Sequence, residues 1–265
     1  MAWTRALGLV TIVAAAPLLG GLRGVPVRRV AGPGLLLGGL IFGAYVLQTL
    51  GLEATTATNA GFITGLYVVF TPLLARALYR SSVRPAVWLA VGLSVAGLAL
   101  LSTDSLSSFR PHRGDVLVLA SAVAWAGHVV ALARYAPRFP TRVIAVAQLA
   151  ATAALHVVAT AGVGWQVEAA WSVAPLLLVT GVLGTGVAYT LQIAAQKEIS
   201  PARAAVILSG EALASALLSV VWIGERLLPH QWIGAALIVT AMVASETSAR
   251  RFERVPFALE PRRRG

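Results

Sequence analysis

The side chains able to do chemistry in this 265-residue chain are few, and most sit inside apolar runs. Glu211 stands out because it lies near the middle of the apolar stretch Pro201 to Ile223. An acidic group at the centre of a membrane helix costs about 2.5–3.5 kcal/mol on insertion scales. Such a residue faces a cavity or a polar partner. It either marks a path for substrate or proton or bonds a neighbouring helix, and both readings stay open here. His128, one turn from Trp125, lies within Val116 to Ala133. It can bind substrate or shuttle protons, though a neutral histidine bonded to a neighbouring helix is the commoner use. His156, with Gln148 two turns earlier, repeats that pattern.

The remaining polar groups fall at helical spacing. Tyr45, Gln48 and Thr49 occupy one apolar run, and Tyr189, Thr190 and Gln192 another. Residues three and four apart share a helix face. Each Tyr–Gln pair therefore lines a polar cavity or makes interhelical hydrogen bonds. Asn59, Thr64, Tyr67 and Thr71 follow on the next run. Thr64, Tyr67 and Thr71 form a single stripe, unfavourable against lipid and so expected to face the interior.

Enzyme chemistry fails on inventory. The chain has no His-Glu-x-x-His zinc motif and no Gly-x-Ser-x-Gly nucleophile turn. Its four histidines lack metal-ligand spacing, and cysteine is absent. An intramembrane hydrolase would need a serine hydroxyl bonded to His128 or His156. No Walker lysine loop is present, so ATP cannot drive this chain by itself. No catalytic residue, metal or cofactor is expected, and any energy must come from an ion or substrate gradient.

The elements that position these groups are membrane spans. The chain is 58% hydrophobic and 12% charged, with a mean hydropathy of +0.81. Soluble domains carry about 25% charged residues. Val30 to Leu52, Ala54 to Ala75, Val143 to Val167 and Ala169 to Gln196 hold no Asp, Glu, Lys or Arg. About 20 apolar residues cross a bilayer as a helix, and in lipid the backbone must satisfy its own hydrogen bonds. The net charge of +11 does not point to nucleic acid, because the arginines sit between the apolar runs and at the C-terminus. That placement fits topology signals and lipid headgroups.

Nine spans are expected: Trp3 to Leu22, Gly34 to Leu52, Ala60 to Leu78, Pro85 to Leu101, Val116 to Ala133, Val143 to Ala161, Val173 to Gln196, Pro201 to Ile223 and Gln231 to Ser245. Arg23, Arg28 and Arg29 are read as a loop. The loops after spans one, three and five carry three arginines each, and the tail is basic. The positive-inside rule therefore puts them in the cytoplasm.

Much of the chain is written twice. A shift of 144 positions carries Tyr45 onto Tyr189, Gln48 onto Gln192, Pro85 onto Pro229 and Trp88 onto Trp232, with no gap. It also carries Tyr67 onto Glu211. Span two ends outside and its copy, span seven, ends inside, so the copies are inverted. The fifth span has no partner in the first half. The repeat unit is therefore five helices, with the first helix of repeat one missing from this chain.

Ala60-Gly-Phe-Ile-Thr-Gly-Leu-Tyr-Val-Val-Phe-Thr-Pro72, Leu208-Ser-Gly-Glu211, Gly224-Glu225-Arg226-Leu227 and Trp232-Ile-Gly-Ala-Ala-Leu-Ile238 together resemble the EamA family of the drug/metabolite transporter superfamily. The resemblance runs from the first span to Ser245. It implies ten helices as two inverted five-helix repeats, a central cavity, and export or exchange of small metabolites, often amino acids. Two departures are the absent first helix and Ala212, where the family commonly has proline.

The expectation is an all-α integral membrane protein, a helical bundle of two inverted repeats. Residues 1–102 form the first repeat, 103–115 a connecting loop, 116–246 the second repeat and 247–265 a cytoplasmic tail. The leading function is a secondary transporter in the bacterial plasma membrane, moving a small metabolite by alternating access. The alternative is a non-transporting membrane scaffold or sensor. Expected partners are the lipid bilayer and a small-molecule substrate, with a proton and a second copy of the chain as candidates.

Overall fold

The computed structural model describes residues 9–14, 27–102, 112–161, 174–224 and 226–250, and among these it holds helices and turns but no strand. Residues 9–14 are helical; the rest of the expected first span lies outside the described residues. The helices that follow are α1 (Val27–Leu52), α2 (Ala57–Gly65), α3 (Tyr67–Tyr79), α4 (Pro85–Leu101), α5 (Gly114–Tyr135) and α6 (Thr141–Thr160). Then come α7 (Ala174–Leu178), a π-helical stretch (Val179–Val187) and α8 (Ala188–Ala195). The last are α9 (Pro201–Leu208), α10 (Gly210–Leu218), a short π-helical end (Ser219–Ile223) and α11 (Pro229–Arg250).

Among the described residues five stretches are long and apolar enough to cross a membrane: Val27–Leu52, Ala57–Tyr79, Gly114–Arg138, Thr141–Thr160 and Pro201–Trp222. Pro85–Leu101 and Val179–Ala195 are apolar but shorter. The outer surface carries exposed Val116, Val158, Leu191 and Val221, as a hydrocarbon solvent requires.

Three local expectations need correction. Arg28 and Arg29 are not in a loop; they form the exposed first turn of α1, which runs on past its apolar part. Both can stay hydrated there while the backbone keeps its helical bonds. The third and eighth spans are not continuous helices. Ala57–Tyr79 breaks at Leu66, whose N–H bonds Ile63 three residues back. Pro201–Ile223 breaks at Ser209, whose hydroxyl donates to the Val206 carbonyl at 2.6 Å. Glycine flanks each break, as Gly65 and Gly210, and lowers the cost of leaving helical geometry. The seventh span widens into π geometry over Val179–Val187, where Thr185 bonds the Thr180 carbonyl five residues back.

Small residues set the packing, as in membrane bundles generally. Helix α4 lies along α11 with Gly97 and Gly234 facing each other; a methyl group on either would fall 2.7 Å from the other's carbonyl oxygen. Gly34 and Gly38 bring α1 against Ala147, Gln148 and Ala151 of α6. Gly51 and Gly114 bring its far end against α5. Gly181 and Gly186 let the π stretch close on Val10, Val13 and Ala14. Apolar clusters fill the space between: Val68, Val91, Leu98, Ala205 and Ile238 in one, Leu37, Leu132, Ile144 and Ile193 in another.

Candidate functional site

A third, smaller cluster positions the chemistry. Ala14, Ile41, Leu149 and Tyr189 are its buried members, with Tyr45 and Trp125 packed against them. Tyr45 projects from α1 and Tyr189 from the first turn of α8. Their hydroxyls share a hydrogen bond, so two residues 144 positions apart meet directly. The Trp125 ring of α5 meets the Tyr45 ring edge-on at 5.0 Å. His128, one turn along α5, meets the Tyr189 ring at 5.7 Å and Trp125 at 6.4 Å, both edge-on. Edge-to-face geometry is what ring quadrupoles favour.

Polar contacts fix this aromatic group from behind. Trp125 Nε1 donates to Gln48 Oε1 at 3.1 Å. His128 Nε2 lies 3.2 Å from Gln148 Oε1, a hydrogen bond in the tautomer that carries its proton on Nε2. The other face of Gln148 is open: its Nε2 is buried with no hydrogen-bond partner. His156 bonds the Thr152 carbonyl through Nδ1 at 2.9 Å and sits edge-on to Phe42, leaving its Nε2 unbonded. Among the described residues neither histidine bonds a serine.

The two helix breaks supply the remaining members. Tyr67 is the first residue of α3 and Glu211 the second of α10, each within two residues of its break. The Glu211 carboxylate lies within electrostatic range of the phenols of Tyr67, Tyr45 and Tyr189. Glu211 lies in the first turn of α10, where the helix dipole favours a negative charge. It is exposed, and among the described residues it has neither a hydrogen bond nor an ion pair. Helix α10 buries no residue, whereas α3 buries Val68, Thr71, Pro72 and Ala75.

Other expected site residues go elsewhere. Asn59 does not join the tyrosines. It sits in the first turn of α2, where its side chain bonds His112 Nδ1 at 3.2 Å and Asp115 at 3.3 Å. Thr55 also donates to Asp115, closing a polar knot between two turns. Thr71 is buried and spends its hydroxyl on the Tyr67 carbonyl at 2.7 Å. Thr64 Oγ1 is buried without a partner. Gln192 donates to Gln196 at 3.2 Å, and Gln196 to the Val129 carbonyl at 3.0 Å, a chain that ties α8 to α5. Gln48 and Gln192 are thus used in bonds between side chains. Among the described residues no group of three His, Asp or Glu side chains is placed to hold a metal ion.

The long apolar helices are those of a multi-pass membrane protein. The chain belongs to the EamA-like transporter family, whose model matches residues 1–103 and 112–245. It is 33% identical over 210 residues to an uncharacterized transporter of Archaeoglobus fulgidus, covering 79% of this chain and 67% of that one. It is 27% identical over 227 residues to the threonine/homoserine exporter RhtA of Escherichia coli K12, covering 84% and 72%. A solved crystal structure superposes with a TM-score of 0.80 at 25% identity, covering 96% of this chain and 90% of the other. The named relatives are transporters, and no catalytic family appears among them.

Proposed function

We propose that this chain is a secondary transporter that exports or exchanges a small metabolite such as an amino acid. The observation that carries this reading is a mid-span carboxylate, Glu211, that has no bonded partner among the described residues and lies within electrostatic range of tyrosines from both halves. A purely structural carboxylate would be bonded to its neighbours. The relation to a threonine/homoserine exporter supports an amino-acid-sized substrate.

The mechanism proposed is alternating access between two inverted repeats, residues 1–102 and 116–246, joined by 103–115. Several features favour it. The breaks at Leu66 and Ser209 fall within one residue of the 144-residue register. Helices α4 and α11, which start at the matched Pro85 and Pro229, pack on each other. Span two packs on span six as span seven packs on residues 10–14. Copies that meet their own counterparts lie on a pseudo-two-fold axis, and the tyrosine pair sits there. Rocking one repeat against the other would expose Glu211 to each side in turn, with a proton as coupling ion. The arginine-bearing loops and the tail face the cytoplasm of a bacterial cell.

Efflux of labelled threonine from cells expressing the chain, beside a Glu211→Gln variant, tests the reading. Efflux that collapses in the variant supports it. Efflux equal in both removes Glu211 from the path. No efflux from correctly inserted protein favours the scaffold or sensor reading, which draws on the absence of buried residues in α10.

A further inference from the structure

The polar knot around Asp115 lies outside the Glu211 site, and it joins the first half of the chain to the start of the second. We propose that Asp115, with Thr55, Asn59 and His112, is a latch that pins the half-helix α2 to the start of α5, and that its release opens the bundle at the membrane face where α1 ends. The inference rests on the transporter reading for what passes there, not for what opens.

The end of α1 and α2 are held to α5 by different means. The Gly114 N–H donates to the Ala54 carbonyl at 3.1 Å, and a methyl group on Gly114 would collide with the Gly51 carbonyl oxygen. That backbone contact fixes the end of α1 on α5. Helix α2 is a nine-residue rod between its cap and the break at Leu66, and side chains tie its start to α5. Thr56 Oγ1 accepts from the Asn59 N–H at 3.1 Å, a cap that holds Asn59 in place. Asn59 Nδ2 donates to Asp115 Oδ2 at 3.3 Å and lies 3.2 Å from His112 Nδ1. Thr55 Oγ1 also donates to Asp115, and the His112 N–H donates to the same carboxylate at 2.8 Å. Among the described residues Asp115 has no ion pair, so hydrogen-bond donors hold it. Such bonds to a carboxylate are strong, yet a swing of α2 breaks them without disturbing helical backbone.

Beneath the knot, Ala60 and Ile63 of α2 meet Val118 of α5 in a small apolar cluster. Ile63 is buried one turn beyond Asn59 on the same face of α2. A swing of α2 about Leu66 would uncover it and open a way toward Tyr67. The repeat register singles out this contact. The shift of 144 positions carries Asn59 onto Arg203, each the third residue of its half-helix. Arg203 bonds Glu246 of α11, inside its own half, through contacts of 2.9 and 3.0 Å. Matching positions thus hold the two half-helices differently, and Asn59 is the one whose bonds reach the other half.

The test uses the full chain, which has no cysteine, in right-side-out and inside-out vesicles. Ile63→Cys reports opening at the knot. Ser94→Cys, at a buried position 3.3 Å from the Ser209 hydroxyl, reports general loosening. An impermeant thiol reagent is applied to each. Asn59→Ala and Asp115→Asn are expected to speed labelling of Ile63→Cys by roughly tenfold or more, the scale of one lost charge-assisted hydrogen bond. The gain should come from one side only, the outer side in the proposed topology, and Ser94→Cys should not change. Thr55→Val removes a single donor and should act in the same direction but less, which keeps the test valid if Asp115→Asn does not fold. Glu53→Gln, exposed and outside the knot, should change nothing. The proposal is overturned if Ile63→Cys keeps its rate in every knot variant, if it speeds up equally from both sides, or if both reporters speed up together, the mark of a merely structural bond. Efflux of labelled threonine separates the two claims. A chain that opens at the knot but moves no threonine keeps the latch and refutes the exporter. A chain that exports threonine while Ile63→Cys ignores the knot variants does the reverse.

Discussion

Replacing Gly97 by alanine should destabilise the bundle, and replacing Gly92 on the same helix should not. A methyl group on Gly97 would fall 2.7 Å from the Gly234 carbonyl oxygen, 2.7 Å from Ile238 Cγ1 and 3.1 Å from the Ile238 nitrogen. Two of those atoms are backbone and cannot swing aside. Carbon contacts settle at about 3.5–4.0 Å, so α4 and α11 would have to part by roughly 1 Å. Overpacking of this kind costs about 1–3 kcal/mol. Alanine's better helix propensity returns about 0.8–1.0 kcal/mol, leaving a net loss of up to about 2 kcal/mol. A methyl group on Gly92 meets nothing within 4 Å, so only the propensity gain remains. Unfolding of the full chain in detergent, followed by circular dichroism against denaturant, should give opposite signs for the two variants. The double variant Gly97→Ala with Gly234→Ala should cost less than the two singles combined, because one parting of the helices relieves both clashes. A Gly97→Ala protein as stable as Gly92→Ala would refute the close crossing and the repeat axis it supports.

Other expectations follow from single groups. Gln148→Leu removes the acceptor for His128 Nε2 and should cost about 1–3 kcal/mol in the same assay; no loss would mean the bond is dispensable. Thr64→Val removes a buried hydroxyl that has no partner, so stability should stay level or rise by about 1 kcal/mol. If Thr64 lines the substrate path, transport falls in that variant while stability does not. Arg203→Met strands Glu246, whose side chain is 39% exposed, so the loss should be about 1–2 kcal/mol, below that of a fully buried pair. High salt should leave most of that difference in place, since the arginine end is only 8% exposed.

The legibility of this chain followed its physics. Apolar runs and their proline starts were readable because lipid permits little else: α4 begins and ends where Pro85 and Leu101 put it. Tyr45 and Tyr189, paired in the sequence by the 144-position shift, turned out to touch. The breaks at Leu66 and Ser209 were not expected, since nothing in the apolar pattern changes there; only Gly65 and Gly210 beside them hint at it. The π turn was likewise hidden, although the close spacing of Gly181, Gly184 and Gly186 marked the region. Asn59 was placed on the third span with Thr64 and Tyr67, but outside their stripe. Its true partners, His112 and Asp115, lie across a loop that sequence spacing cannot fold. Glu211 was evident from its cost alone, whereas the bracing by Trp125 and Gln148 depends on how α1, α5 and α6 cross.

The central claim is that one mid-span site opens to each side of the membrane in turn. The chain has no cysteine, so Ser215→Cys places a single thiol one turn beyond Glu211 on the same face of α10. Membrane-impermeant thiol reagents would be applied to right-side-out and inside-out vesicles, with and without threonine. The account predicts labelling from both sides and slower labelling when threonine is bound. Labelling from one side only, unchanged by threonine, would contradict it.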